Sequence, residues 1–321
     1  MVLDGNGKEA IRLSAAGSML AVSFGLVIAV PLTLVVVRVY PTLESRMGII
    51  LLSIAGFLVL TEARYLTIKA IKRRLVGLAV MLSSGLLGFY VLTHGEIANP
   101  LLGNPSLLMP LFTGLFGVPL LAASIFENAE LPEQRGGETA FPRRRIATSA
   151  FGGSLAGSIV GWIPGVSPAV ATTLVQSTLP RSETEDESMR SFIVAVSGVN
   201  TSNAIFALLA LEFIEKSRSG VTVALSQVES LTFGTLLVYL AALSVVSVLA
   251  FLSTLYVGEH AFDVLRRVDY RVLSLSIILL LVVLTLVFAG MPGIPVLVAA
   301  TVIGLVPNYT KVRRVHCMGS L

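Results

Sequence analysis

Apolar and polar positions in this chain segregate into long blocks instead of alternating along amphipathic helices or strands. Residues 13–40 open the series, interrupted only by Pro31 and Arg38, and the blocks Met47–Thr61, Leu75–Thr93 and Leu107–Phe126 follow. About 20 consecutive apolar residues suffice to cross a bilayer as a helix. The pattern therefore predicts an all-α fold: one integral membrane domain over residues 1–321, built as a polytopic transmembrane bundle. The connecting segments alternate in charge. Arg64–Arg74 and Glu127–Arg145 carry basic clusters, whereas His94–Ser106 has no Lys or Arg and is rich in Asn, Pro and Gly. Basic loops stay on the cytoplasmic side. Residues 1–126 thus read as four N-terminal transmembrane helices starting from a cytoplasmic N-terminus, and 127–146 as a cytoplasmic loop.

The next region breaks this rhythm. Residues 147–180 hold no charge, yet Ile163-Pro164-Gly165-Val166-Ser167-Pro168 divides them into halves too short for a full crossing. Residues 191–211 are also uncharged and carry Ser197-Gly198-Val199-Asn200-Thr201-Ser202-Asn203 near their middle. Basic residues precede, separate and follow these segments. Residues 147–218 are read as paired broken-helix hairpins, both entering from and returning to the cytoplasm; two ordinary crossings, the first kinked at Pro164, are the alternative. The C-terminal transmembrane helices fall within 219–321, in a long block at 221–257 and a pair at Leu273–Ala289 and Met291–Pro307. On this count the basic segment 266–271 lands outside, against the charge rule.

Composition narrows the function classes. Hydrophobic residues make up 55% of the 321 and charged residues 13%, against about 25% charged in soluble domains. The net charge of +4 lies in loops beside apolar spans, so no nucleic-acid partner is expected; membrane lipid is. Cys317 is the one cysteine, and His94, His260 and His316 lie far apart in sequence, so neither a disulfide nor a metal cluster is expected. The two uncharged segments lack the paired carboxylates or clustered histidines of an intramembrane protease. No G-x-x-x-x-G-K-[ST] phosphate loop is present. These features point away from an enzyme.

Candidate chemistry gathers at the two interruptions. Gly153, Gly157 and Gly161 recur every fourth residue, lie on one helix face and permit close helix packing. They lead into Pro164 and Gly165, where backbone groups lose their helical partners. Ser167 and Thr172, with Thr173, then place hydroxyls at the start of a new helix, whose free N–H groups and positive dipole end can hold an anion. Asn200, Thr201, Ser202 and Asn203 add amides and hydroxyls able to hydrogen-bond a carboxylate or coordinate a cation, or to cap two half-helices. No cofactor is expected beyond a coupling Na+ or H+. The segment Ile303-Gly304-Leu305-Val306-Pro307-Asn308 faintly echoes Val160–Gly165, as a repeat would.

The string Gly161-Trp162-Ile163-Pro164-Gly165-Val166-Ser167-Pro168, an acidic loop, and Ser197–Asn203 resemble the TctA-type permease of tripartite tricarboxylate transporters, most closely its shorter archaeal branch. Leu107–Ser124 and Lys311–Met318 look similar too. No equivalent of the family's first-half Pro-Gly motif precedes residue 107. The resemblance implies a secondary-active, multi-pass permease of the plasma membrane for a small organic anion, a carboxylate, working with a small membrane subunit and an extracellular solute-binding protein. A homo-oligomer is also compatible. The competing readings are a truncated or non-transporting membrane scaffold and, further off, a channel.

Overall fold

A computed structural model describes residues 1, 4–62, 68–126, 134, 141–163, 166, 168–178, 184–265 and 268–320. Among these the regular structure is helical. The helices are α1 (Gly7–Ser45), α2 (Met47–Leu60), α3 (Ile68–Thr93), α4 (Leu108–Phe112), α5 (Val118–Phe126), α6 (Arg143–Val160), α7 (Pro168–Thr178), α8 (Glu185–Ile214), α9 (Gly220–Val228), α10 (Phe233–Leu265), α11 (Tyr270–Ala289) and α12 (Gly293–Thr310). A π turn, Thr113–Gly117, joins α4 to α5, and a 3-10 segment, Arg314–Ser320, follows α12. Seven described stretches are long and apolar enough to cross a membrane: α1, most of α3, Leu108–Ile125, most of α8, most of α10, α11 and α12. The all-α polytopic membrane bundle expected from the blocks is the observed class.

Contacts divide the chain into two interleaved units, Met1–Met47 with Leu131–Arg266, and Gly48–Glu130 with Arg267–Leu321. In the first unit, α1, α6 and α8 run parallel. A Cβ added to Gly153 would meet the Ala195 carbonyl, one on Gly157 the Val199 carbonyl, and one on Gly161 the Phe206 side chain and the Asn203 carbonyl. On α1, Gly17 faces Val194 and Gly25 faces Ile205 and Ser202. Ion pairs clamp the three starts together: Arg190 to Glu9 at 3.1 Å, and Arg145 to Glu187. At the far ends of α1 and α8, Lys216 reaches Glu44 at 3.3 Å and Arg218 donates to the Tyr40 hydroxyl at 2.7 Å. The end of α10 returns to the start of α1, with Gly258 against Ile11 and Arg12 bonded to Glu259. Helix α10 is thus antiparallel to α1.

Two corrections follow. Residues 197–203 are not an interruption: α8 runs as one helix of 30 residues, from its cap at Thr184 to a left-handed end at Glu215. The segment holds weak helix formers but no proline, and close packing outweighs their propensity. Gly198 lies against the backbone of Ala150, and the Ser197 hydroxyl donates to the Ile193 carbonyl at 2.9 Å. The paired hairpins of 147–218 therefore reduce to one hairpin, α6–α7, followed by a full-length crossing. Consequently Lys216 and Arg218 lie at the end opposite the N-terminus, and the exit of α10 lies at the N-terminal end.

In the second unit, α12 runs parallel to α4–α5. Gly114 meets Leu297 and Ala300, Gly304 meets Leu115 and Pro119, and the Asn308 amide donates to the Pro119 carbonyl at 3.0 Å. Helix α11 runs the opposite way, its Ser274 hydroxyl 2.8 Å from that of Ser124. After α12 the chain turns at Lys311, in the left-handed region, and runs back along α3 from Gly77 to Gly88.

Candidate functional site

The site is built where α6 stops. The helical ladder ends at Val160, and the next bonds tighten to i−3: Trp162 N–H to the Ile159 carbonyl at 3.3 Å and Ile163 N–H to the Val160 carbonyl at 3.0 Å. Helix α7 restarts at Pro168. Because α6 and α8 are parallel and their starts are bonded through Arg145 and Glu187, the chain between them must return to its starting end, and α7 lies on that return. Of the expected binding residues, Pro164, Gly165 and Ser167 lie outside the described residues. Thr172 is half-buried on α7, whose Ala171 and Val175 pack with Val160, Ala195 and Val199 of α6 and α8.

The four polar residues of α8 do not form a single cluster. Helical periodicity spreads them around the cylinder. Asn200 is exposed, Thr201 and Asn203 are half-buried, and Ser202 is fully buried. Asn203 sits beside the end of α6, its carbonyl 3.3 Å from the Cβ position of Gly161. Ser202 instead faces α1, its hydroxyl 3.5 Å from the Cβ position of Gly25, and it has no hydrogen-bond partner among the described residues. The glycines Gly153, Gly157 and Gly161 bring the break against α8, because only a missing side chain allows backbones this close.

Several polar groups in the same helix trio escaped the sequence reading. Trp162 is 1% exposed, packs edge-on to Phe206 at 6.2 Å, and its indole N–H has no partner among the described residues. A buried donor without an acceptor costs about 1–3 kcal/mol, and here it stands at the helix break. Ser154 is buried and donates to the Ala21 carbonyl at 3.3 Å, and the hydroxyls of Ser14 and Ser197 meet at 2.8 Å. The signal was present for the first: Trp162 is the one tryptophan of the chain and immediately precedes Ile163-Pro164-Gly165. The interior of this trio is neutral, with the ion pairs confined to its ends. Among the described residues no group of three or more His, Cys, Asp or Glu is placed to hold a metal ion.

Comparison with known proteins supplies the wider context. The family model described as "Tripartite tricarboxylate transporter TctA family" matches residues 1–319. An uncharacterized protein of Methanocaldococcus jannaschii is 26% identical over 286 residues, covering 87% of this chain; the chain spans 65% of that relative's length. No solved structure matches the chain.

Proposed function

The chain belongs to the tripartite tricarboxylate transporter TctA family, and from that premise we propose that it is the membrane-embedded part of a secondary-active, ion-coupled carrier for a small organic anion, a carboxylate. The observation that carries the reading is the α6–α7 break seated against α8. It leaves backbone groups without helical partners beside the orphaned Trp162 indole N–H and beside Asn203. Broken helices at membrane depth survive where they line a cavity or meet a ligand. In this reading the positive dipole end at the start of α7, with the hydroxyls of Thr172 and Ser167, holds the carboxylate. Trp162 and Asn203 donate to its remaining oxygens, and Pro164 and Gly165 are expected to belong to the same site. Thr201 and Ser202 belong to the coupling Na+ or H+ route, while exposed Asn200 stands outside the primary contact.

The same reading makes a small membrane subunit and an extracellular solute-binding protein the functional partners. It places the protein in the plasma membrane, with the end bearing Arg12, Arg143, Arg144, Arg145 and Arg190 in the cytoplasm. Calorimetric titration of the purified protein with citrate and smaller dicarboxylates, with and without sodium, tests it. Asn203→Ala is expected to weaken binding about tenfold, the worth of one hydrogen bond to a charged group, while leaving the unfolding temperature nearly unchanged. Wild-type affinity in that variant would remove Asn203 from the site, and no binding of any carboxylate would remove the carrier reading.

A further inference from the structure

The second unit gathers basic side chains at one end, and the carrier reading uses none of them. Helix α3 opens with Lys72 and Arg73, both exposed, and with Arg74, which is half-buried and engaged within the protein. The chain after α12 brings Lys311, Arg313 and Arg314, all exposed. A groove on α3 fixes these two segments to each other. There the Gly77 Cβ position would touch the His316 ring, and a Cβ on Gly88 would run into the Ser320 carbonyl. The Ser84 hydroxyl adds a bond to the His316 carbonyl at 3.3 Å. Arg73 stands one turn before Gly77, about 6 Å at 1.5 Å per residue. Arg313 and Arg314 stand just before His316. The basic residues of both segments therefore meet at the same mouth of the groove.

The acidic groups described at this end are already committed. Glu62, just past the end of α2, has a side chain only 2% exposed. Its Oε2 meets His316 Nε2 at 2.9 Å, its Oε1 accepts the Arg313 backbone N–H at 3.0 Å, and the Arg313 Nε stands 4.0 Å away. Asp269, at the start of α11, caps that helix by accepting the Arg271 and Val272 N–H groups at 2.8 and 3.4 Å. Among the described residues no carboxylate pairs with Lys72, Arg73, Lys311 or Arg314. Arg314 is nevertheless held in place. Its Nε donates to the Asn308 side-chain oxygen at 2.9 Å, and the Asn308 amide is itself tied to the Pro119 carbonyl. This neutral bond leaves both terminal nitrogens of the guanidinium available. Directly along α3 from Lys72, the side chains of Leu75, Leu78 and Leu82 are exposed and share one helix face.

We infer that this end of the second unit is a binding site for an anionic phospholipid, with the headgroup phosphate at Lys72, Arg73 and Arg314 and an acyl chain along Leu75, Leu78 and Leu82. A planar guanidinium matches phosphate oxygens in pairs, and clustered basic residues at the membrane surface attract anionic headgroups. A zwitterionic lipid brings no net charge to neutralise the surplus. Inorganic phosphate would satisfy the basic groups but leave the leucine face uncovered, so charge and apolar face together select a lipid.

The test titrates the full chain in detergent with phosphatidylglycerol, counting retained lipid by native mass spectrometry. Phosphatidylcholine and excess inorganic phosphate run in parallel. Phosphatidylglycerol is expected to be retained, phosphatidylcholine to be lost, and inorganic phosphate to leave the bound lipid in place. Lys72→Gln with Arg73→Gln is expected to weaken retention about thirtyfold, the combined worth of two basic residues at a membrane surface. Arg143→Gln with Arg144→Gln removes the same charge from exposed positions on α6 and is expected to leave retention unchanged. Equal weakening in the two double variants would reduce the effect to diffuse charge, and displacement by inorganic phosphate would make this a soluble-anion site; either result overturns the inference, as does equal retention of both lipids. Should the α3 double variant unfold in lipid-free detergent, Arg314→Gln, with its own expected weakening, decides in its place.

Discussion

Replacing Gly157 with alanine tests the packing that seats the helix break. An added Cβ would lie 2.3 Å from the Val199 carbonyl oxygen and 2.9 Å from the Val199 Cα, both backbone atoms that cannot rotate away. Ordinary contact begins near 3.4 Å, so α6 and α8 must separate by about 1 Å there. Gly153 and Gly161 lie on the same seam, and loosening one contact strains both neighbours. Overpacking of this size costs about 1–3 kcal/mol. Gly152, one position earlier than Gly153 and pointing away from α8, has nothing within 4 Å of its Cβ position. Alanine there gains helix propensity of about 1 kcal/mol. The two variants are therefore expected to differ by roughly 2–4 kcal/mol, with Gly157→Ala lowering the midpoint of thermal unfolding in detergent and Gly152→Ala holding or raising it. Equal midpoints would show that the glycine face does not set the helix spacing, and the placement of the break beside Asn203 would lose its physical basis.

Two further outcomes are expected. In a Cys317→Ser background, single cysteines at 146 and 187 label from one side of the membrane and a cysteine at 216 from the other; labelling of all three from one side would restore the second hairpin. Gly290 has φ +70°, and a Cβ there would lie 2.3 Å from the Asn99 carbonyl oxygen. Gly290→Ala is accordingly expected to lower the unfolding free energy by about 1–3 kcal/mol, whereas a midpoint equal to wild type would show that the turn tolerates a side chain.

The class of fold was legible because hydrophobicity of a block is a local sum, insensitive to which residues touch. The break after α6 was legible because Pro164 and Pro168 crowd one short stretch. Proline alone is no sure guide: α1 continues through Pro31 and Pro41, and α12 contains Pro307. Ser197–Asn203 misled because glycine, serine and asparagine are only weakly averse to helices, and the contacts that settle the matter come from Ala150, Gly153 and Gly157, more than 40 positions away. The small-residue face of α1, with Gly17 and Gly25 at eight-residue separation, carried the same signal as the α6 glycines and went unread. The Glu62–His316 contact had no sequence signature at all. Neither residue stands in a motif, and their meeting depends on the chain reversing after α12.

The antiparallel contact between α1 and α10 has a consequence for the surrounding lipid. These are the longest helices, at 39 and 33 residues, or roughly 58 and 50 Å at 1.5 Å per residue. The hydrocarbon layer measures about 30 Å. Polar termini cannot be drawn into that layer, so surplus length is taken up by leaning and by projection into the headgroups. Arg12 and Glu259 tie the two rods at one end, so they lean together. Helix α10 leaves most of its apolar side chains exposed in the described structure, a surface suited to acyl chains. A thicker bilayer would set the pair more upright. Gly17 and Gly25 seat α1 directly on α8, so a change in tilt of α1 is expected to carry α8, and Asn203 with it.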